Sequence, residues 1–179
     1  MNFEPLLSGP VHPVIAEVAR YFRTLAPGDA LPRRHAFRPS HVRHALGYIF
    51  LVDVLAGDYR WDLVGEKVGI LFGTNRQDSL LSTLPPDLRN LLKPMYDGVV
   101  ASRAFHYCRG RYTWPDRSVP IERLLVPMTD DQGRVASIFG VTIPTLPLDD
   151  FVIVFTGNGA AGFEVDEAIT GAATACEPA

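Results

Sequence analysis

Residues 105–143 read FHYCRGRYTWPDRSVPIERLLVPMTDDQGRVASIFGVTI, and the fold follows from this stretch. It contains three runs rich in apolar, β-branched and aromatic residues, at 105–113, 119–128 and 134–143, and each is a strand by composition and length. Trp114-Pro115-Asp116-Arg117 and Thr129-Asp130-Asp131-Gln132-Gly133 separate them. Such short polar connections join antiparallel neighbours, since a parallel crossover needs a dozen or more residues.

Working outward, residues 48–55 (YIFLVDVL) predict a strand buried on both faces, Ala56-Gly57-Asp58 a turn, and residues 59–64 a second strand. In that second strand, period-two alternation places Tyr59, Trp61 and Leu63 on one face and Arg60, Asp62 and Val64 on the other. Val68, Leu71 and Phe72 mark a short helix before Gly73. Pro85-Pro86-Asp87 opens a longer one to about Ser102, with Leu88, Leu91, Leu92, Met95, Val99 and Val100 on one face and a kink expected at Pro94. Upstream, Val14, Val18, Tyr21, Phe22 and Leu25 line one side of a helix over 13–25, and a shorter helix follows from Pro39 to Leu46. Strands in two groups with helices between them predict an α+β domain, a five-stranded antiparallel sheet with its helices on one face. The chain divides into an N-terminal helical extension (1–30), the domain (31–144) and a C-terminal extension (145–179). Residues 151–155 are read there as an added strand, and the Gly- and Ala-rich tail after Gly157 as partly mobile.

With 47% hydrophobic and 21% charged residues, the chain has the composition of a globular protein with a real core. Its net charge of −3 offers no general attraction for nucleic acid. No apolar run reaches the roughly 18 residues of a membrane span, and no basic-then-apolar leader opens the chain, so the expectation is a cytoplasmic protein. Cys108 and Cys176 form neither a disulfide framework nor a zinc pattern.

The segment 31–144 resembles a bacterial, stand-alone branch of the PAS domain family. The resemblance rests on Leu31-Pro32-Arg33-Arg34 with Phe37 and Pro39, on Phe50-Leu51-Val52-Asp53-Val54-Leu55, on Leu63-Val64-Gly65 with Phe72-Gly73, and on Glu122-Arg123-Leu124-Leu125-Val126-Pro127-Met128 before an Asp-rich turn. Asp62, where the family tends to be basic, and Thr74-Asn75-Arg76-Gln77-Asp78, which lacks a glycine, depart from the pattern and imply a remodelled loop beside the pocket. The resemblance implies a curved sheet whose concave face encloses a cavity for a ligand, cofactor or partner. Light-sensing relatives carry a flavin-binding cysteine in Asn-Cys-Arg on a helix, whereas Cys108 stands in Tyr-Cys-Arg on a strand. Haem would want a histidine from the long helix, and residues 85–102 contain none. Neither group is expected, and the ligand stays unknown.

Chemistry concentrates in the strand at 105–112, where aromatic and polar side chains mix on both faces. Tyr107 and Arg109 share one face and His106 and Cys108 the other, so either pair is a candidate set of ligand contacts, with Trp61 and Phe72 as apolar lining. The competing account packs the aromatics on helices and extends the arginines to water. Asp53 and Asp62 are a possible carboxylate pair across the first hairpin, although separate exposed positions explain each. His41 and His44, three apart in a basic stretch, share a helical face without a carboxylate or thiol, so the reading is a solvated face and no metal. Gly157-Asn158-Gly159-Ala160-Ala161-Gly162 spells a dinucleotide fingerprint but lacks the βαβ unit that gives it meaning. No nucleophile motif is present and no catalytic residue is assigned. The expectation is a sensory or regulatory module without enzymatic activity, binding a small molecule or a protein partner, and a homodimer through the 13–25 helix. Two alternatives stand: an interaction or dimerisation domain whose cavity is filled by side chains, and a small enzyme built around His106.

Overall fold

In the computed structural model, residues 1–26, 28, 30–71, 76–113, 118–145 and 162–172 are described. The elements are α1 (Glu4–Leu7), α2 (Pro13–Leu25), β1 (Ile49–Val54), β2 (Tyr59–Val64), α3 (Glu66–Leu71), α4 (Pro86–Ser102), β3 (Ala104–Thr113), β4 (Ser118–Thr129), β5 (Val135–Pro144) and β6 (Gly162–Ala172). The strands form one antiparallel sheet in the order β2-β1-β5-β4-β3-β6. The first five strands stand as the sequence predicts. The sixth lies in the tail that composition marks as partly mobile, where it pairs along the whole of β3 from Thr113↔Gly162 to Ala104↔Ala172. The strand expected at 151–155 and all but the last residue of the glycine motif at 157–162 lie outside the described residues.

Helices cover both faces of the sheet, which corrects the one-face expectation. β4 shows why: from Ile121 to Thr129 every residue is buried, so both of its faces need a partner layer. On one side α1, α2 and the turns that follow them form a first core with Leu124, Val126, Met128, Phe139 and Val141. On the other, α3 and α4 form a second core with Phe50, Val52, Trp61, Leu125 and Ile138.

α2 begins at His12, whose ring Nδ1 accepts the Val14 N–H at 3.2 Å, with Pro13 in the first helical position, where a missing N–H is harmless. Ile15, Ala16, Val18, Ala19 and Phe22 form its buried face, and Val14, Tyr21 and Leu25 flank it. The apolar stripe is therefore covered by the chain's own sheet. This removes the reason for expecting a homodimer through that helix. The segment Pro39–Tyr48 is 3-10 rather than α, broken at Val42 (φ −126°, ψ 43°), and it buries Val42 and Ala45 at the three-residue repeat of that helix. α4 runs on through Pro94, which is exposed together with Asn90, so the carbonyl that the proline leaves unbonded faces solvent.

The β1–β2 hairpin departs from simple alternation. Leu51 pairs with Leu63, but Val52 pairs with Trp61, so Asp62 is an extra residue on β2. The bulge reverses the parity: Tyr59 and Trp61 enter the second core, while Leu63 packs on the first. It also separates the supposed carboxylate pair, since Asp53 meets Arg60 at 2.6 Å and Asp62 meets Arg34 at 2.9 Å. The outer edge of β2 is covered by chain, with Asp78 N–H donating to the Trp61 carbonyl at 2.7 Å and Trp61 N–H to the Ser79 carbonyl at 3.0 Å.

Candidate ligand site in the second core

Strand alternation places the even residues of β3 and the odd residues of β4 toward α4. His106, Cys108 and Tyr112 thus share a face with Arg123 and Leu125, while Tyr107 and Arg109 share the opposite one with Glu122. Trp61 on the one hand and Tyr107 and Arg109 on the other therefore stand on opposite faces of the sheet. Trp61 belongs to the second core and Tyr107 to the first, and Phe72 lies outside the described residues.

The residue that composition alone did not single out is Arg123. It is 5% exposed in a layer of apolar side chains. It donates from Nη1 to the Tyr112 hydroxyl at 3.2 Å and from Nη2 to Cys108 Sγ at 3.4 Å. Arginine stays protonated at any accessible pH, so the second core contains a cation. Its cross-strand partner on β5 is Thr142, and Tyr96 of α4 lies close enough to interact with it electrostatically. The hydroxyls of Tyr96 and Thr142 are buried and have no hydrogen-bond partner among the described residues. Buried hydroxyls in native proteins nearly always have one. A signal was present in the sequence: an arginine at the centre of Ile121–Met128, a strand otherwise apolar on both sides apart from Glu122.

The surrounding groups are held in their neutral forms. Burial pushes the Cys108 thiol up, with Arg123 partly opposing, so it is no activated nucleophile. Burial likewise raises the Tyr96 and Tyr112 phenols. His106 is held below the ordinary histidine range by burial and then by Arg123, and its Nε2 lies 2.9 Å from the Ser102 hydroxyl. Trp61, fully buried in the same core, packs its ring 5.2 Å from that of Phe50 and 6.4 Å from that of Tyr96.

On the opposite face Glu122, 8% exposed, accepts the His12 N–H at 2.8 Å and the Tyr107 hydroxyl at 3.0 Å, with Arg109 Nε at 3.6 Å. Arg109 also reaches Glu167 on β6 at 3.0 Å. Tyr107 and Arg109 therefore join the sheet to α2 and β6. The histidines of the basic stretch are apart in their contacts, His35 meeting Asp131, His44 meeting Glu17, and His41 lying beside the Tyr21 ring. Among the described residues no group of three or more His, Cys, Asp or Glu could hold a metal ion. Among them, too, no helix is long and apolar enough to cross a membrane.

The model of the PAS domain family matches residues 11–143. Three solved structures are among those to which the chain is similar. The PAS domain of BvgS from Bordetella pertussis is 17% identical, with a TM-score of 0.41 over 55% of this chain and 75% of that one. VqmA from Vibrio cholerae, in a complex with ligand and DNA, is 13% identical, with a TM-score of 0.45 over 60% of this chain and 51% of that one. A light-oxygen-voltage domain studied with a flavin analogue is 12% identical, with a TM-score of 0.43 over 64% and 87%. None of the curated proteins compared with the sequence matches it. A family match across most of the chain, on a sheet of strand order 2-1-5-4-3 with one added edge strand, places this chain in the PAS domain family.

Proposed function

We propose that this chain is a sensory or regulatory module that binds a small molecule between its sheet and α4 and passes the change to its N-terminal helical layer. The observation that carries this is the polar cluster around Arg123. An apolar core gains nothing from a guanidinium and from hydroxyls that have no partner among the described residues when leucines would pack there more favourably, whereas a binding site needs a few such groups among apolar walls. Membership of a family of sensory modules points the same way.

A route from site to output is built into β4. Neighbouring residues of a strand face opposite ways, so Arg123 stands in the second core and Glu122 in the first, where Glu122 ties β4 to the start of α2. A ligand that shifts β4 by engaging Arg123 therefore acts on the contact that fastens α2, and a partner that reads α2 would respond to the altered population.

The test is a thermal-shift and native mass spectrometry screen of the purified chain against small metabolites. At least one compound should raise the melting temperature and appear as a mass increment. If none does either, the ligand-binding reading fails, and the chain is an interaction domain with a side-chain-filled core.

A further inference from the structure

The N-terminal helical layer is fastened to β6 as well as to β4. We propose that α1, the start of α2 and β6 form one latch, a cooperative unit that docks on the sheet and leaves it together while the β1–β2 end stays in place. Whatever holds or releases β6 then sets the state of α2. This control goes beyond the ligand reading and needs no ligand.

Three contacts make the unit. Phe3, fully buried, stacks on Phe105 with ring centroids 4.6 Å apart and an interplanar angle of 12°, and the same Phe105 ring lies against Gly171 of β6. Ile169 of β6 packs half-buried on the first core, and α1 lies beside β6. Arg109 stands between two carboxylates, its Nε 3.6 Å from Glu122 and its Nη1 3.0 Å from Glu167 of β6, while Glu122 also accepts the His12 N–H ahead of α2. Because Arg109 reaches the two carboxylates through different nitrogens, it serves both at once and the contacts reinforce each other. The Arg109 and Glu167 side chains are 31% and 52% exposed, so solvent screens that pair and the apolar contacts carry most of the coupling.

Neither partner is self-sufficient. A helix of four residues has no stability of its own, and α1 holds through the burial of Phe3 and Leu6. β6 is an edge strand exposed from Glu164 to Ala168. If β6 leaves, the Phe105 ring loses its cover at Gly171 and the first core loses Ile169; if α1 leaves, the same ring loses Phe3. Segments that share their buried contacts in this way open as one sub-global unit.

Residue-resolved amide exchange of the full chain by NMR tests the latch from both ends. The probes on the helical side are Leu7 and Ser8, whose N–H groups donate to the Phe3 and Glu4 carbonyls at 2.9 Å, and His12, whose N–H donates to Glu122 at 2.8 Å. Ile169→Ala should speed exchange at all three about tenfold, the effect of removing a few half-buried methyl and methylene groups on an opening equilibrium, and should leave Trp61 of β2 unchanged. Ile169→Val, a milder change, should do the same to a smaller degree and keeps the comparison available if the alanine variant does not fold. Coupling is reciprocal, so Phe3→Leu, which keeps an apolar side chain and removes the stacked ring, should speed exchange over 164–171. Faster exchange confined to the mutated segment in each variant would overturn the latch. An equal loss of protection at Trp61 would overturn it too, because the variants would then be opening the whole domain. Neither result depends on whether a metabolite binds.

Discussion

At His106 the chemistry of one ring shows how the second core responds to pH. The ring sits at the junction of α4 and β3, near Gly98 and with the Ser102 hydroxyl at 2.9 Å, and burial together with the nearby Arg123 disfavours its protonation. Its folded-state pKa is therefore depressed below the unfolded value of about 6.5. For a group shifted in that direction the stabilising contribution is complete above the unfolded value and is lost as pH falls from there through the folded one, because the unfolded chain takes up the proton first. Calorimetric melting between pH 7.5 and 5 should show a declining melting temperature, and His106→Gln should make that decline shallower. An unchanged slope in the variant would show that the ring contributes nothing to it. His106 and Cys108 were legible as a same-face pair from alternation alone. Arg123 was not, because an arginine inside an apolar strand reads equally well as a side chain reaching for water until the second layer of helices is seen to enclose it.

Among the elements, β1 with β5 and β3 with β6 each place an aromatic ring over a glycine. A methyl added at Gly140 would lie 2.0 Å from the Phe50 ring, and one at Gly171 would lie 2.0 Å from the Phe105 ring. These rings pin the register of their strands, since a one-residue slip would bring side chains under them. The two sites differ in setting. Gly140 is central, and Gly140→Ala should cost about 1–3 kcal/mol, read as a lower urea midpoint at constant m. Gly171 is on an edge strand, and Gly171→Ala should release β6 locally, seen as lost hydrogen-exchange protection over 162–172 with a smaller change in global stability. β6 escaped the sequence reading for a physical reason. The alternation Phe163-Glu164-Val165 is broken at Asp166, the extra residue of a bulge, and the strand is exposed from Glu164 to Ala168, where it is matched to β3 by charge, Asp166 with Arg111 at 3.0 Å and Glu167 with Arg109 at 3.0 Å. The signal lay in pairing two distant segments of opposite sign. The bulge at Asp62 was equally invisible, since a strand of six residues reads as uninterrupted alternation until its partner sets the register.

Across the whole molecule, one buried carboxylate joins the N-terminal helical layer to the sheet. Glu122→Ala would leave the His12 N–H and the Tyr107 hydroxyl without their acceptor and remove the charge facing Arg109, an expected loss of about 2–4 kcal/mol by urea unfolding. Glu122→Gln keeps an acceptor and should cost less. Tyr107→Phe should cost about 1 kcal/mol, and combining it with Glu122→Ala should give less than the sum, as for two partners of one bond. Additive losses would show that the two groups act independently. The sequence by itself determined the order of helices and the first five strands, the antiparallel connections and the α+β class, because these depend on local composition, turn chemistry and loop length. It also determined that Tyr107 and Arg109 oppose His106 and Cys108, a consequence of strand alternation. Which of those faces meets α4 and which meets α2, the sixth strand, and the enclosure of Arg123 and Glu122 in separate cores were decided only by the tertiary structure. A strand buried on both sides carries no contrast between its faces, so the sides are told apart only by the layers that pack against them.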